Sequence, residues 1–285
     1  MTDIEKLITS ARHYCIDNYK FWSEKYSKEA SGHNNPYSDN DYNLFPRYNV
    51  INTILQGVEI LVGQDFTSFE RCKQELVEIG KNSHSIFTVD SNEDLHLLGE
   101  SGRQVKSIGG RNNSIEKNAM SEERKKFIEF VFSMTIENIS EVAPLPYRHR
   151  LTDKEMLSVR KQLLEHWNFD GDYWNPLDER SPKETVFLMK DNLTNDDCTK
   201  ILDYLISNSN KRLYEVTEDR IDYEIEFDSF DIDLYETIVT DKTFEWVIYG
   251  SHEETITFGG IALINFIKSL FAGRQDKLNK WEQNW

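Results

Sequence analysis

Acidic side chains dominate the chemistry this sequence offers, and their longest ordered set lies in Ile221-Asp222-Tyr223-Glu224-Ile225-Glu226-Phe227-Asp228. Asp222, Glu224, Glu226 and Asp228 alternate with apolar residues, and the acid continues through Asp231, Asp233 and Glu236. Two chemistries suit such a row. Carboxylate oxygens bind hard divalent cations, so Asp228-Ser229-Phe230-Asp231-Ile232-Asp233 with Glu236 is a candidate metal site for a metal-dependent hydrolase. Carboxylates on a rigid element can instead replace phosphates opposite the Lys and Arg of a basic partner, giving charge-assisted contacts and fast, salt-sensitive association. Spacing favours the second. Neither this cluster nor Asp170-Gly171-Asp172 has the EF-hand order with Gly at its sixth position.

Other constellations carry less. Ser251-His252-Glu253 has the residue types of a hydrolase, but neighbours on an extended chain point to opposite faces, and no G-x-S-x-G elbow is present. It reads as a hairpin loop. Gly109-Gly110-Arg111-Asn112-Asn113-Ser114 lacks the Gly-Lys-Ser/Thr end of a phosphate-binding loop. Arg148-His149-Arg150 is a short basic cluster expected to pair with acids of the second half rather than with a nucleic acid. Trp167, Phe169, Tyr173, Trp174, Trp246 and Tyr249 sit at helix and strand spacing, where aromatics are more often core than contact surface. Trp281 and Trp285 close a polar tail and are candidates for packing against another subunit or a groove of the chain itself.

The alternation of Ile221–Asp228 is the period-2 signature of a half-buried strand, its successive carboxylates roughly 6.7 Å apart. Before it, Thr2-Asp3-Ile4-Glu5 is a capping box for a long first helix. Pro46 suits the first turn of a second helix, Thr67-Ser68-Phe69-Glu70 caps a third, and a helix resumes near Ser121. Ser85 to Val89 reads as a strand, and residues 100–114 as a polar, Gly-rich loop. After Pro144-Leu145-Pro146, helices are expected from Thr152, from Thr194 and over Ile261–Phe271. Strands are expected at Thr185–Lys190, Arg212–Val216, Ile221–Asp228, Phe244–Tyr249 and Thr255–Phe258. Adjacent strands favour an antiparallel sheet with helices packed on one face, hence an α+β fold. The expected organisation is a mainly helical region, 1–146, followed by an acidic α+β domain, 147–285.

Charge follows the same division. Residues 1–150 hold 22 acids and 18 bases, whereas residues 151–285 hold 28 acids and 15 bases. A net charge of -17 opposes binding to nucleic acid or anionic membrane and favours a basic protein partner. Three separated cysteines support neither a disulfide framework nor a zinc ribbon, and no apolar run approaches a membrane span. A cytoplasmic protein without cofactor or metal is expected.

The acidic second half, with Trp246-Val247-Ile248-Tyr249 and Ser251-His252-Glu253, resembles bacterial toxin-immunity proteins. In size, acidity and architecture the whole chain is similar to phage anti-defence inhibitors such as the Gabija anti-defence class. That resemblance implies stoichiometric inhibition of a nuclease-type effector, without turnover. The function expected is therefore a non-enzymatic acidic inhibitor that blocks the basic, nucleic-acid-binding surface of a bacterial effector. Asp222, Glu224, Glu226, Asp228, Asp231, Asp233 and Glu236 are the expected contacts, and self-association through aromatic surfaces including Trp281 and Trp285 is a further expectation.

Overall fold

Capping residues set where the helices begin. In the computed structural model, which describes residues 1–30, 38–84, 114–171, 174, 184–218 and 221–280, the chain divides between Leu145 and Pro146 into two units. The described part of the first unit is helical: α1 (Asp3–Glu29), α2 (Asp39–Glu59), α3 (Phe69–Asn82) and α4 (Ser114–Ser133). Thr2 and Glu5 close a reciprocal capping box at α1. A second box, Ser38 with Asp41, starts α2 well ahead of Pro46, so the proline lies inside the helix rather than in its first turn. An interior proline costs about 3 kcal/mol. The helix runs through it because Leu44, Val50, Ile51, Ile54 and Val58 are all buried along one side. Similarly, α4 starts before Ser121 because Ala119 and Met120 already face the interior. Leu7, Ala11 and Cys15 of α1, Ile51 and Ile54 of α2, Leu76 of α3, and Phe127 and Val131 of α4 form one core. The expected strand Ser85–Val89 and the loop 100–113 lie outside the described residues.

The second unit is an α+β domain built on a seven-stranded antiparallel sheet. Its strands are β1 (Arg148–Arg150), β2 (Thr185–Met189), β3 (Arg212–Thr217), β4 (Tyr223–Glu226), β5 (Thr237–Asp241), β6 (Val247–Gly250) and β7 (Thr255–Gly259). They lie in the order β1-β4-β3-β5-β6-β7-β2. Helices α5 (Asp153–Trp167), α6 (Asn195–Asn208) and α7 (Ile261–Leu270) complete it. Thr152 and Thr194 cap α5 and α6, each in a reciprocal box.

Register sorts the side chains into two cores. Leu213, Ile225, Val239, Ile248, Ile256 and Phe258 share one face, with Ile201 and Leu205 of α6 and Leu263, Ile264 and Ile267 of α7. Val216, Ile238, Val247 and Tyr249 share the other, under Val159, Leu163 and Trp167 of α5. Two helices thus cover one side, and α5 with Phe169 and Trp174 covers part of the opposite side. Trp167, Phe169, Trp174, Trp246 and Tyr249 are all buried, which makes them core. Trp167 Nε1 donates to Phe244 O and Trp174 Nε1 to Trp167 O, each at 3.0 Å, so both indole N–H groups are satisfied inside.

Phe244 leaves the expected strand for the β5–β6 turn, at φ 53°. At the sheet's β2 edge, Asn279 donates its backbone N–H to Phe187 O at 2.8 Å. Its side-chain Oδ1 in turn accepts from Phe187 N at 3.1 Å. Among the described residues no helix is long and apolar enough to cross a membrane.

Candidate functional site

The acidic row does not lie on a single outward face. Asp222, expected to project outward, is buried at the start of β4, where Arg160 of α5 grips it with both arms. Arg160 Nε donates to Oδ2 and Nη2 to Oδ1, each at 2.7 Å, and Thr217 N donates to Oδ1 at 3.2 Å. Gly171, at φ 103°, is what admits the arginine: a Cβ there would lie 2.5 Å from Arg160 Nη1. Burial pushes the Asp222 carboxyl above the usual carboxylate range, outweighing the Arg160 hydrogen bonds and charge. An internal tie of this kind cannot reach a partner.

Glu224 and Glu226 face outward from β4 but are engaged by their own sheet. Glu224 Oε2 accepts from Tyr147 Oη at 2.8 Å and from Arg212 Nη1 at 3.3 Å, and the Arg212 guanidinium stacks 3.7 Å from the Tyr147 ring centroid. Glu226 Oε2 accepts from Tyr147 N at 3.1 Å. Regular pairing also stops at Glu226, earlier than the expected Asp228, because a 3₁₀ turn (Phe227–Ser229) follows. The neighbouring basic cluster is absorbed in the same way. Arg148 pairs with Glu215 at 3.0 Å, and His149 lies 3.3 Å from Glu155.

The outward picket lies further along the chain. Between β4 and β5 the chain crosses the α6/α7 face, and Phe230, Ile232 and Leu234 are buried in that core. The residues between them, Asp231, Asp233 and Tyr235, are exposed. This is strand-like alternation without strand pairing. The segment is fixed by what lies beneath it: Leu234 O passes so close to Gly250 that a Cβ there would sit 2.2 Å from it. Tyr235 is 59% exposed, a large aromatic standing in water among carboxylates. Asp228 is also exposed, and Asp231 Oδ1 accepts from Asp233 N at 3.0 Å.

Lys190 and His252 touch this face at its rim. Lys190 reaches Asp233 at 3.2 Å and Glu254 at 3.8 Å, and His252 Nδ1 lies 3.1 Å from Glu236 Oε1. These contacts tie the β6–β7 hairpin loop to the crossing segment. The face reaches α6 as well: burial, Asp197, Asp231 and Asp233 together push the Cys198 thiol upward. The Ser251-His252-Glu253 motif resolves into turn chemistry, with Ser251 Oγ 2.8 Å from Thr255 Oγ1 and accepting from Glu253 N at 3.1 Å.

Among the described residues, no three His, Cys, Asp or Glu side chains converge as metal ligands. Asp228, Asp231, Asp233 and Glu236 therefore do not form a pocket of oxygens. Their chemistry is that of separate anions on a held backbone, together with one exposed phenol. Tyr235 is the residue that sequence reasoning passed over. Its signal is the alternation Phe230-Asp231-Ile232-Asp233-Leu234-Tyr235, from which Asp231 and Asp233 are expected as partner contacts and Tyr235 is not. Trp281 and Trp285 lie outside the described residues. No protein-family model, no curated protein and no solved structure matches the chain.

Proposed function

We propose that this protein is a non-enzymatic acidic inhibitor that binds the basic, nucleic-acid-binding surface of a bacterial nuclease-type effector, in phage anti-defence or toxin immunity. One observation carries the reading: Asp231, Asp233 and Tyr235 stand outward from a segment whose alternate residues are locked into the core. A pre-ordered backbone spares the entropy of arranging the charges on binding. Carboxylates on it attract Lys and Arg and speed the encounter. A central exposed tyrosine supplies the aromatic anchor that carries much of the energy in many interfaces. The contacts proposed are thus Asp228, Asp231, Asp233, Tyr235 and Glu236, with Glu224 and Glu226 at most a flanking contribution. Against the metal-dependent hydrolase stands the dispersal of the same acids along the surface.

The test is affinity capture from bacterial lysate at low and at high salt, followed by assay of the captured protein for nuclease activity. Capture of a basic nuclease at low salt, its release at high salt and its stoichiometric inhibition are expected. Asp231→Asn/Asp233→Asn/Tyr235→Ala should lose the partner without losing the fold. Undiminished capture by that variant, or a captured partner that is acidic, overturns the proposal.

A further inference from the structure

A second, separate site lies in the helical unit. An open cleft of about 540 Å³ runs between α1, α4 and the segment that follows α4, a size suited to a small-molecule ligand. Its wall includes Tyr14 and Phe130, stacked with ring centroids 4.5 Å apart. Asp17 and Glu141 supply its formal charge, and none of its lining residues is Lys or Arg. The other polar groups are largely committed. His13 Nε2 is 2.9 Å from Ala143 O, and Asn18 Nδ2 donates to Tyr14 O at 2.8 Å, which leaves Asn18 Oδ1 as an acceptor. Burial first, then Glu123, Cys15 and Glu129, push the Tyr14 phenol upward.

From this chemistry we infer that the cleft binds a linear organic polyammonium ion. Two exposed carboxylates in a lining that holds no Lys or Arg attract positive charge, and the stacked rings offer apolar contact to methylene groups between ammonium ends. An inorganic cation would have no use for the aromatic wall, and no three carboxylate, imidazole or thiolate groups converge there among the described residues. The inference is independent of the inhibitor reading, because it concerns residues of the other unit.

Spermidine titrated into the full-length protein by calorimetry, at about 150 mM salt to suppress loose attraction to the acidic chain, tests it. One saturable site is expected. Asp17→Asn/Glu141→Gln should weaken it about tenfold or more, whereas Asp231→Asn/Asp233→Asn, which removes the same charge from the other unit, should leave it unchanged. Both pairs are surface residues, so the variants retain the fold, which circular dichroism checks. Three results overturn the inference: no saturable binding, equal weakening by the two variants, or displacement of spermidine by an equal concentration of Mg²⁺.

Discussion

Removing Asp222 should damage the fold, and the size of the damage follows from its contacts. Asp222→Ala leaves the Arg160 guanidinium, whose side chain is 13% exposed, still donating to Thr217 O at 2.6 Å but without its carboxylate, and leaves Thr217 N without its acceptor. Stranding one member of a buried ion pair costs about 3–5 kcal/mol. Because burial already holds the Asp222 carboxyl above its ordinary value, the pair itself contributes far less than that: the penalty arises from the orphaned arginine. Asp222→Ala/Arg160→Met should therefore recover much of the loss, giving a coupling of about 2 kcal/mol or more in a double-mutant cycle. Urea unfolding followed by tryptophan fluorescence is the assay. Five of the six tryptophans lie in the second unit, and a Trp22→Phe background leaves only those. A cost below about 1 kcal/mol for Asp222→Ala, or no recovery in the double variant, refutes the reasoning and returns Asp222 to the list of surface contacts.

Asp197 offers a pH test of the opposite sign. Arg274, at 2.7 and 3.0 Å, holds its carboxyl down at about 2. A lowered carboxyl favours the folded state above the ordinary value near 4, and that contribution disappears as pH falls from about 4 through about 2. Arg274 is 38% exposed and solvent screens the pair, so its worth is at most about 1 kcal/mol, and Asp197→Asn should flatten the stability loss in that window when unfolding is measured across it. Gly250→Ala drives a methyl into Leu234 O and should cost about 2–3 kcal/mol in thermal or urea unfolding, with partner capture weakened because the crossing segment is displaced. Burial raises the Cys72 thiol to about 12 and the Cys15 thiol well above its ordinary value. Mass spectrometry after iodoacetamide at neutral pH should therefore find both unlabelled in the native protein and labelled in urea.

Local signals in the sequence were readable where one residue decides the outcome. Thr2, Thr152 and Thr194, each followed three residues later by Glu or Asp, mark helix starts that the structure contains. The α+β class followed from runs of neighbouring strands. Long-range chemistry was not readable. The fate of Asp222 depends on Arg160, which lies 62 residues earlier and on the facing helix. Glu224 looked free until Tyr147 and Arg212 closed on it. β5 was missed because all five residues of Thr237–Asp241 are buried, which erases the alternation that marks a half-covered strand. The crossing segment misleads in the reverse direction: it alternates because one side rests on the core, although it pairs with no neighbour as a strand.

The contact of Asn279 with β2 also bears on how the chain behaves at high concentration. By occupying Phe187 N and O, it closes off part of a row of backbone groups that would otherwise be ready to recruit an extended segment of another molecule. A chain cut just before Asn279 would keep its core yet expose that row, and should form soluble oligomers or aggregates through intermolecular strand pairing. At the far margin β1 is only three residues long and carries Arg148 and Arg150, a charged stub too short to template such growth.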